Sequence, residues 1–205
     1  MIIGGPRFEC ERLDEHHQRA SFSCTREPAL QTYLAEDARA IRENKRSITA
    51  VHLIIDKENG DKIAGYFTLS NMSIIPSALP NAIAKKLPRY DHWPATLLGR
   101  MARDDRYAGE NLGTTLVGNA LEMTMQITTL SASLALIVDA KNDALAVWYR
   151  QLGFTPFPDD PNRLFMVNAT IADLLARIRA AQPVRPNVGA LVPQAIPDRA
   201  EPKDG

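Results

Sequence analysis

The sequence runs Arg100-Met-Ala-Arg-Asp-Asp-Arg-Tyr-Ala-Gly-Glu-Asn-Leu-Gly-Thr-Thr-Leu-Val117 near its middle, and this stretch decides the fold. Its pattern predicts the end of a strand, a short turn between Gly109 and Gly113, and the start of a helix with one apolar face. A glycine-bearing turn before a helix presents unpaired backbone N–H groups and the positive end of the helix dipole. Such a turn can bind phosphate or pyrophosphate, or it can be only a tight structural turn before the helix, and both interpretations stay open.

Composition bounds the class of protein. The 205 residues are 45% hydrophobic and 23% charged, which is typical of one globular domain. We expect that domain over residues 1–181, followed by a proline-rich, extended or disordered tail at 182–205. Lys plus Arg equals Asp plus Glu at 24 each, so a nucleic-acid partner would need a local basic patch.

Targeting signals and metal ligands are not suggested by the sequence. It has no signal-peptide pattern and no apolar run of about 18 residues, so we expect a cytoplasmic protein without a membrane segment. Cys10 and Cys24 are too few for a disulfide framework, and no Cys-x-x-Cys or histidine cluster suggests zinc. We therefore expect no metal site.

Hydrophobic periodicity predicts an α+β fold, with a mixed central β-sheet flanked by helices on both faces. The predicted strands are a short one near Phe8, an extended piece at 20–22, a hairpin of 47–55 and 62–70 joined through Asn59-Gly60, and strands at 95–102, 133–139 and 164–167. The predicted helices are one from Pro28 with a buried stripe, a short one near 82–87, and others at 112–128, after Asn142 and at 171–181. The buried stripe comprises Leu30, Tyr33, Leu34, Ala38 and Ile41.

Two blocks carry a family resemblance: Arg106-Tyr-Ala-Gly109 with Gly113, and Trp148-Tyr-Arg-Gln-Leu-Gly-Phe154. With them the chain resembles the GNAT superfamily of N-acetyltransferases, over residues 7–170. The family motif is Gln/Arg-x-x-Gly-x-Gly/Ala, often followed by x-Gly, and Asn111 departs from it at the second glycine. Asn adopts left-handed backbone more readily than other non-glycine residues, so a similar turn can form.

The resemblance implies acetyl-CoA as cosubstrate and direct acetyl transfer without a covalent enzyme intermediate. It implies that the turn binds the pyrophosphate, with Arg106 adding charge, and that the pantetheine pairs with the end of the preceding strand. A backbone N–H near Met101 or Ala102 would then stabilise the thioester oxyanion. The implied cofactor-binding residues are Met101, Ala102, Arg103, Arg106, Tyr107, Ala108, Gly109, Glu110, Asn111, Leu112, Gly113, Thr114 and Asn142.

Tyr149 matches the family position that protonates the departing CoA thiolate. Its residue type suits that role, because a Tyr proton can protonate a thiolate within hydrogen-bond reach. The alternative is a tyrosine that packs at the edge of the core. Asn142 likewise has two readings, a contact to CoA or the N-cap of the following helix.

A narrower resemblance is carried by Phe22-Ser-Cys24, Leu30-x-x-Tyr-Leu34, Gly65-Tyr-Phe-Thr-Leu-Ser70, Leu87-Pro-Arg-Tyr90, Leu98-Gly-Arg-Met-Ala102 and Val138-Asp-Ala140. These segments are similar to the acetyltransferase toxins of bacterial toxin–antitoxin pairs. Such toxins acetylate the α-amine of aminoacyl-tRNA, block translation and pair with a ribbon-helix-helix antitoxin, and many form homodimers. Arg103 stands where this group usually has Val.

Basic residues in two segments are the expected tRNA contacts: Arg42, Lys45, Arg46, Lys85, Lys86 and Arg89, with Arg100 and Arg103 as further candidates. The alternative for each is a solvated surface charge. Two rival functions also stay open. One is an acetyltransferase acting on a small-molecule amine or a protein N-terminus, and the other is a non-catalytic protein that binds CoA or a partner.

Overall fold

A computed structural model describes residues 7–181, so the predicted tail at 182–205 lies outside the described residues. It contains a seven-stranded sheet in the order β1-β2-β3-β4-β5-β7-β6. Only β4 and β5 pair in parallel, and all other neighbours are antiparallel. The strands are β1 Phe8–Arg12, β2 Ala50–Asp56, β3 Lys62–Ile74, β4 Trp93–Arg103, β5 Ala135–Asp139, β6 Thr155–Pro156 and β7 Arg163–Val167.

Helices cover both faces of this sheet, as the sequence predicts. Alternate residues of β2 show the division, because Ile54 belongs to the same buried cluster as Leu116 on one face, while Leu53 belongs with Tyr33 to the cluster on the other. The helices are α1 Pro28–Gln31, α2 Arg39–Lys45, α3 Asn81–Ala84, α4 Leu112–Leu130, α5 Asp143–Gln151 and α6 Asn168–Ala181. None of the helices between residues 7 and 181 has the length and apolar character to span a membrane.

The predicted hairpin is confirmed, and β3 is longer than predicted. Strands β2 and β3 pair antiparallel, and Gly60 between them has the positive φ of 66° expected for its turn. Strand β3 continues past Ser70 to Ile74, still paired with β4. The polar pair Ser70-Asn71 suggested a strand end, but Asn71 and Ser73 face solvent while Ile74 is buried, so the alternation of a strand continues.

The single helix predicted from Pro28 through Ile41 is wrong. Helix α1 passes into a π turn, Thr32–Glu36, after which Asp37 is extended and α2 begins at Arg39. The Asp37 carboxylate accepts a hydrogen bond from the Arg39 N–H at 2.8 Å, and this local side-chain bond competes with a continuous helix. Of the predicted stripe, Tyr33 and Leu34 are buried, but Ala38 is exposed and Ala40 is buried instead.

The extended piece predicted at residues 20–22 is also wrong. Arg19–Ser21 form a 3-10 turn, and the chain becomes extended only at Phe22. The Arg19 side chain donates to the carbonyl of Leu34 at 2.6 Å, so this turn is fixed by a contact distant in sequence. The predicted strand at 133–139 is confirmed from Ala135, where four consecutive residues are buried on both faces.

Close packing of β3 against β4 and α4 predicts a large effect of Gly65→Ala. A Cβ atom at Gly65 would lie 2.9 Å from the carbonyl oxygen of Ala102 and 3.1 Å from Leu116 Cδ1. Because the first neighbour is backbone in the sheet, relief requires strand movement, and we expect a loss of about 1–3 kcal/mol in the free energy of unfolding. Urea denaturation measures this. The control Ser70→Ala, half-buried on the same strand, should change it by less than about 0.5 kcal/mol, and equal effects would contradict the packing argument.

Candidate active site

The two central strands separate in the middle of the sheet. Strands β4 and β5 pair from Thr96 with Leu136 to Leu98 with Val138, and no pair is formed beyond this point. Strand β4 nevertheless continues to Arg103, paired on its other side with β3. Residues Met101–Arg103 therefore have one edge that no strand among the described residues covers. An uncovered edge at the centre of a sheet offers ladder hydrogen bonds to an extended ligand.

Strand alternation determines which backbone groups face this gap. The Asp104 N–H donates to the Ala64 carbonyl on β3 at 2.9 Å. In an antiparallel pair the N–H and C=O of alternate residues point to the same side, so the backbone of Ala102 also faces β3. The N–H and C=O groups of Met101 and Arg103 face the gap. Met101, Ala102 and Arg103 are the residues predicted to bind the pantetheine, and of these only Met101 and Arg103 have backbone groups that can bond to a ligand in the gap.

The predicted turn follows directly. The chain passes through a 3-10 turn, Asp105–Tyr107, and reaches α4 through Gly109 at φ 85° and Asn111 at φ 53°, ψ 22°. Asn111 thus adopts the left-handed conformation expected of this departure from the motif. The turn needs positive φ at this position, and Asn supplies it.

Hydrogen bonding divides the predicted phosphate-binding residues into two groups. The N–H groups of Tyr107, Ala108, Glu110 and Thr114 are bonded to carbonyls within the turn. Within residues 7–181, no hydrogen bond is made by the N–H groups of Gly109, Asn111, Leu112 and Gly113. These four lie at the N-terminus of a 19-residue helix, where the helix dipole favours an anion.

A buried carboxylate that is not among the predicted site residues fixes the start of the turn. The Asp104 side chain is fully buried and accepts hydrogen bonds from the Arg106 N–H at 2.9 Å and the Ser23 N–H at 2.9 Å. The Arg106 guanidinium donates to both oxygens of the same carboxylate at 2.8 Å, and these bonds raise the pKa of Arg106. The charge of Arg106 is therefore neutralised locally. An Asp immediately before a predicted turn is an N-cap signal that could have identified this role.

A second buried carboxylate ties the turn to the other end of the sheet. Asp56 is fully buried and pairs with Arg7 at 2.7 Å, and the hydrogen bonds from Arg7 lower the pKa of Asp56. Arg7 also pairs with Glu110 in the turn at 2.8 Å. This pairing balances a negative charge that lies beside the free N–H groups.

Helix α5 brings Tyr149 towards the same region. Trp148 lies against Gly113, because a Cβ atom there would be 3.5 Å from Trp148 Cζ2. The neighbouring Tyr149 is 4% exposed, and its ring packs edge-on against Phe154 with centroids 5.4 Å apart. Burial raises the pKa of Tyr149 to about 12. No group in residues 7–181 forms a hydrogen bond with the Tyr149 hydroxyl, so its proton is available to a ligand.

Asn142 is the N-cap of α5. Its side-chain oxygen accepts a hydrogen bond from the Leu145 N–H at 2.9 Å, and Asn142 is exposed to solvent. The prediction that Asn142 caps this helix is therefore confirmed. A contact from Asn142 to CoA stays a prediction.

The predicted tRNA contacts differ in how their charges are engaged. Lys45 pairs with Glu15, and Arg42 lies 3.9 Å from Asp37. The other four residues are exposed and form no ion pair within the described part of the chain: Arg46, Lys85, Lys86 and Arg89. Arg100 pairs with Glu43 at 3.6 Å, and its guanidinium lies 4.2 Å from the ring centroid of Tyr33. The Lys85–Arg89 segment thus has the least compensated positive charge of the predicted set.

The residue types suited to metal binding meet at one place among the described residues. Ligand atoms of Glu11, His16 and His17 lie within 4.8 Å of one another. Glu11 is already paired with Lys57 at 2.6 Å and with His17 at 3.1 Å. A neighbouring cation opposes binding of a metal ion, and the expected lack of a metal site stays a prediction.

The chain was compared with known proteins and solved structures. No protein-family model matches the chain. The chain is 25% identical over 180 residues to the probable toxin TacT of Sinorhizobium fredii, covering 84% of this chain and 97% of the relative. It is 26% identical over 156 residues to the tRNA-acetylating toxin of Mycobacterium tuberculosis, covering 76% of this chain and 89% of that toxin.

Solved structures show the same fold. AtaT complexed with acetyl-methionyl-tRNAfMet superposes with a TM-score of 0.73 at 27% identity, over 82% of this chain and 99% of AtaT. AtaTR bound with acetyl-CoA gives a TM-score of 0.69 at 26% identity, over 82% and 98% of the two chains. The split sheet, the turn before α4 and Tyr149 on α5 therefore belong to a chain that has the GNAT acetyltransferase fold and is similar to the acetyltransferase toxins of bacterial toxin–antitoxin pairs.

Proposed function

We propose that the protein transfers the acetyl group of acetyl-CoA to the α-amine of aminoacyl-tRNA and thereby blocks translation. The observation that carries this proposal is the uncovered edge of Met101–Arg103, which leads directly into a turn with four unbonded N–H groups. An extended pantetheine and a pyrophosphate need these two features in this order. The relative named tRNA-acetylating toxin and the AtaT complexes with acetyl-methionyl-tRNAfMet and acetyl-CoA support the acceptor and the acetyl donor.

The turn and the strand edge have separate tasks in this proposal. The N–H groups of Gly109, Asn111, Leu112 and Gly113 bind the pyrophosphate together with the dipole of α4. The N–H of Met101 faces the gap and donates to the thioester oxygen as negative charge develops on it. The role of Arg106 is to hold Asp104 and the turn, because its guanidinium already donates hydrogen bonds to both oxygens of the Asp104 carboxylate.

The acceptor amine needs no strong protein base. An α-amino group titrates at about 7.7–8.0 and the adjacent ester lowers this further, so it is substantially neutral near pH 7–8. It can attack the thioester carbon directly, the C–S bond breaks, and the amine proton passes to water. No covalent enzyme intermediate is required.

Tyr149 is the proton donor to the departing thiolate. Its pKa of about 12 keeps it protonated throughout the pH range of translation. A thiolate with an ordinary pKa of about 8.5 would be a weaker base than the buried tyrosinate. Transfer from Tyr149 therefore needs a direct hydrogen bond to the thiolate as the C–S bond breaks, and the tyrosinate then regains a proton from water.

The basic segment is the proposed contact to the acceptor. Lys85, Lys86 and Arg89 are exposed without ion pairs in the described part of the chain, and the adjacent Tyr90 is 64% exposed. Cations that contact phosphates and an aromatic ring that can stack on an unpaired base suit a single-stranded RNA end. The proposal also includes an antitoxin partner, a homodimer and a cytoplasmic location, where charged tRNA is found.

Labelled acetyl-CoA tests the proposed function. The protein is incubated with it and with total charged tRNA, and the aminoacyl-adenosines released by nuclease are separated. We expect the label on the α-amine of one or a few aminoacyl groups. Label only on small amines or peptide N-termini would favour the other class of acetyltransferase, and binding of acetyl-CoA without transfer to any amine would favour a non-catalytic protein.

Tyr149→Phe should reduce kcat for acetyl transfer by about 10²–10⁴-fold, the usual contribution of general acid–base catalysis. Stability should hardly change, because the hydroxyl makes no hydrogen bond among the described residues. Steady-state kinetics and thermal denaturation measure the two effects. The control is Tyr66→Phe, which removes a hydroxyl bonded to the Leu30 carbonyl at 2.9 Å and should leave kcat within about threefold. Full activity of Tyr149→Phe would exclude the assigned role.

Asn111→Val should weaken acetyl-CoA binding by about 5–30-fold, since left-handed backbone costs a β-branched residue roughly 1–2 kcal/mol. Asn111→Gly should bind as tightly as the natural chain. Ser47 offers a matched control, because it has φ 54° after α2 and outside the turn. Ser47→Val should cost similar stability without changing the Kd for acetyl-CoA. Calorimetric titration measures these constants, and unchanged binding by Asn111→Val would contradict the proposed phosphate site.

Replacing Lys85, Lys86 and Arg89 together by Ala should weaken binding of charged tRNA and flatten its salt dependence. If all three contact phosphates, the slope of log K against log salt should fall by about 2–3. Filter binding over a range of salt concentrations measures this slope. The control replaces Lys62 and Arg177, exposed residues outside the segment. A slope that falls equally in both variants would show that the segment has no special contact to RNA.

A further inference from the structure

Strand β4 contains a bulge at the point where it leaves β5. Leu69 on β3 pairs with Leu98, whereas Phe67 pairs with Met101. Two residues of β4, Gly99 and Arg100, therefore lie opposite the single residue Thr68. The last pair between β4 and β5 also involves Leu98, so the bulge begins where the gap opens. A bulge of this kind redirects the backbone that follows it and leaves one residue without its ladder bond.

Thr68 supplies the missing bond with its side chain. The Arg100 N–H donates to Thr68 Oγ1 at 2.9 Å, in place of a backbone carbonyl. Thr68 is 1% exposed, so water is excluded from this contact. A Cβ atom at Gly99 would lie 3.2 Å from the same oxygen, which is why the close approach suits glycine there. The hydroxyl therefore bonds to one bulged residue, Arg100, and lies close against the other, Gly99.

We propose that Thr68 is a positioning residue for acetyl transfer, because its hydroxyl holds the bulge so that the next N–H, that of Met101, faces the gap. This inference rests on the proposed function. Thr68 does not touch the reacting atoms itself. Thr68 acts through the Gly99–Arg100 peptide, whose plane is held by the bond from the Arg100 N–H. That peptide is joined through Arg100 Cα to the Arg100–Met101 peptide, which carries the Met101 N–H. An oxyanion donor must point at the place where the charge develops, so a small rotation of this peptide weakens the transition state more than the ground state.

The matched substitutions are Thr68→Val, Thr68→Ser and Thr96→Val. The first has nearly the same shape but no acceptor oxygen, and the second keeps that oxygen. Thr96 is a buried threonine on β4 itself, below the gap, and bonds to Ser133 Oγ at 2.9 Å. Thr96→Val therefore removes one buried side-chain hydrogen bond from the same strand without touching the bulge. Thr68→Ala takes the place of Thr68→Val if the valine variant does not fold.

We expect Thr68→Val to lower kcat by about 10–100-fold, less than the 10²–10³-fold cost of deleting an oxyanion donor, with KM for acetyl-CoA within about threefold. Thr68→Ser should recover most of kcat, and Thr96→Val should retain it. If Thr68 were only structural, Thr68→Val and Thr96→Val would lower stability alike, and kcat of the folded Thr68→Val protein would be unchanged. That result would overturn the proposal.

Amide hydrogen exchange gives a readout that does not depend on turnover. The Arg100 amide should exchange slowly in the natural chain and in Thr96→Val, and at least about tenfold faster in Thr68→Val. Equal exchange in the two valine variants would overturn the proposal even if kcat falls. If the natural protein acetylates no amine, the proposed function fails, and the exchange rates still decide whether Thr68 holds the bulge.

Discussion

The separation of β4 from β5 is the constraint on which the rest of the site depends. A parallel pair inside a sheet normally continues along both strands, because uncovered N–H and C=O groups in a protein interior are costly. Here pairing stops at Leu98 and Val138 while β4 continues for five more residues. The bulge opposite Thr68 explains how β4 can turn away and still keep its bonds to β3. The exposed edge is therefore built into the strand.

The end of β4 is anchored by charges that lie far apart in sequence. Asp104 bonds to the backbone of Ser23 and to Arg106, so the first turn after β4 is fixed to the segment before α1. Arg7 connects Asp56 on β2 with Glu110 in the same turn. Buried carboxylates are tolerated when each oxygen is paired, and here they hold the turn rigid on both sides. The four free N–H groups can then keep their positions without a ligand.

Features governed by local sequence were predictable. The Asn-Gly hairpin, the apolar face of α4, the Asn142 cap and the buried strand β5 each depend on a few neighbouring residues. The left-handed Asn111 belongs to the same class, because the conformational preference is a property of the residue. The resemblance to acetyltransferase toxins, carried by motifs across the domain, agrees with the comparisons.

Features governed by distant contacts were not predictable. The periodicity of Leu30, Tyr33, Leu34 and Ile41 continues through Asp37, so it gave no sign that the helix breaks there. The charge of Arg106 suggested a phosphate ligand, but its partner is set by the burial of Asp104. Nor does spacing indicate that Thr68 meets Arg100, because a strand bulge between them decides the register.

A crystal structure of the protein with acetyl-CoA tests the central claim most directly. The account predicts the pantetheine alongside Met101–Arg103, the pyrophosphate on the N–H groups of Gly109 and Asn111–Gly113, and the thioester oxygen about 3 Å from the Met101 nitrogen. Acetyl-CoA bound away from the gap between β4 and β5, or a thioester oxygen that no β4 backbone N–H reaches, would contradict it.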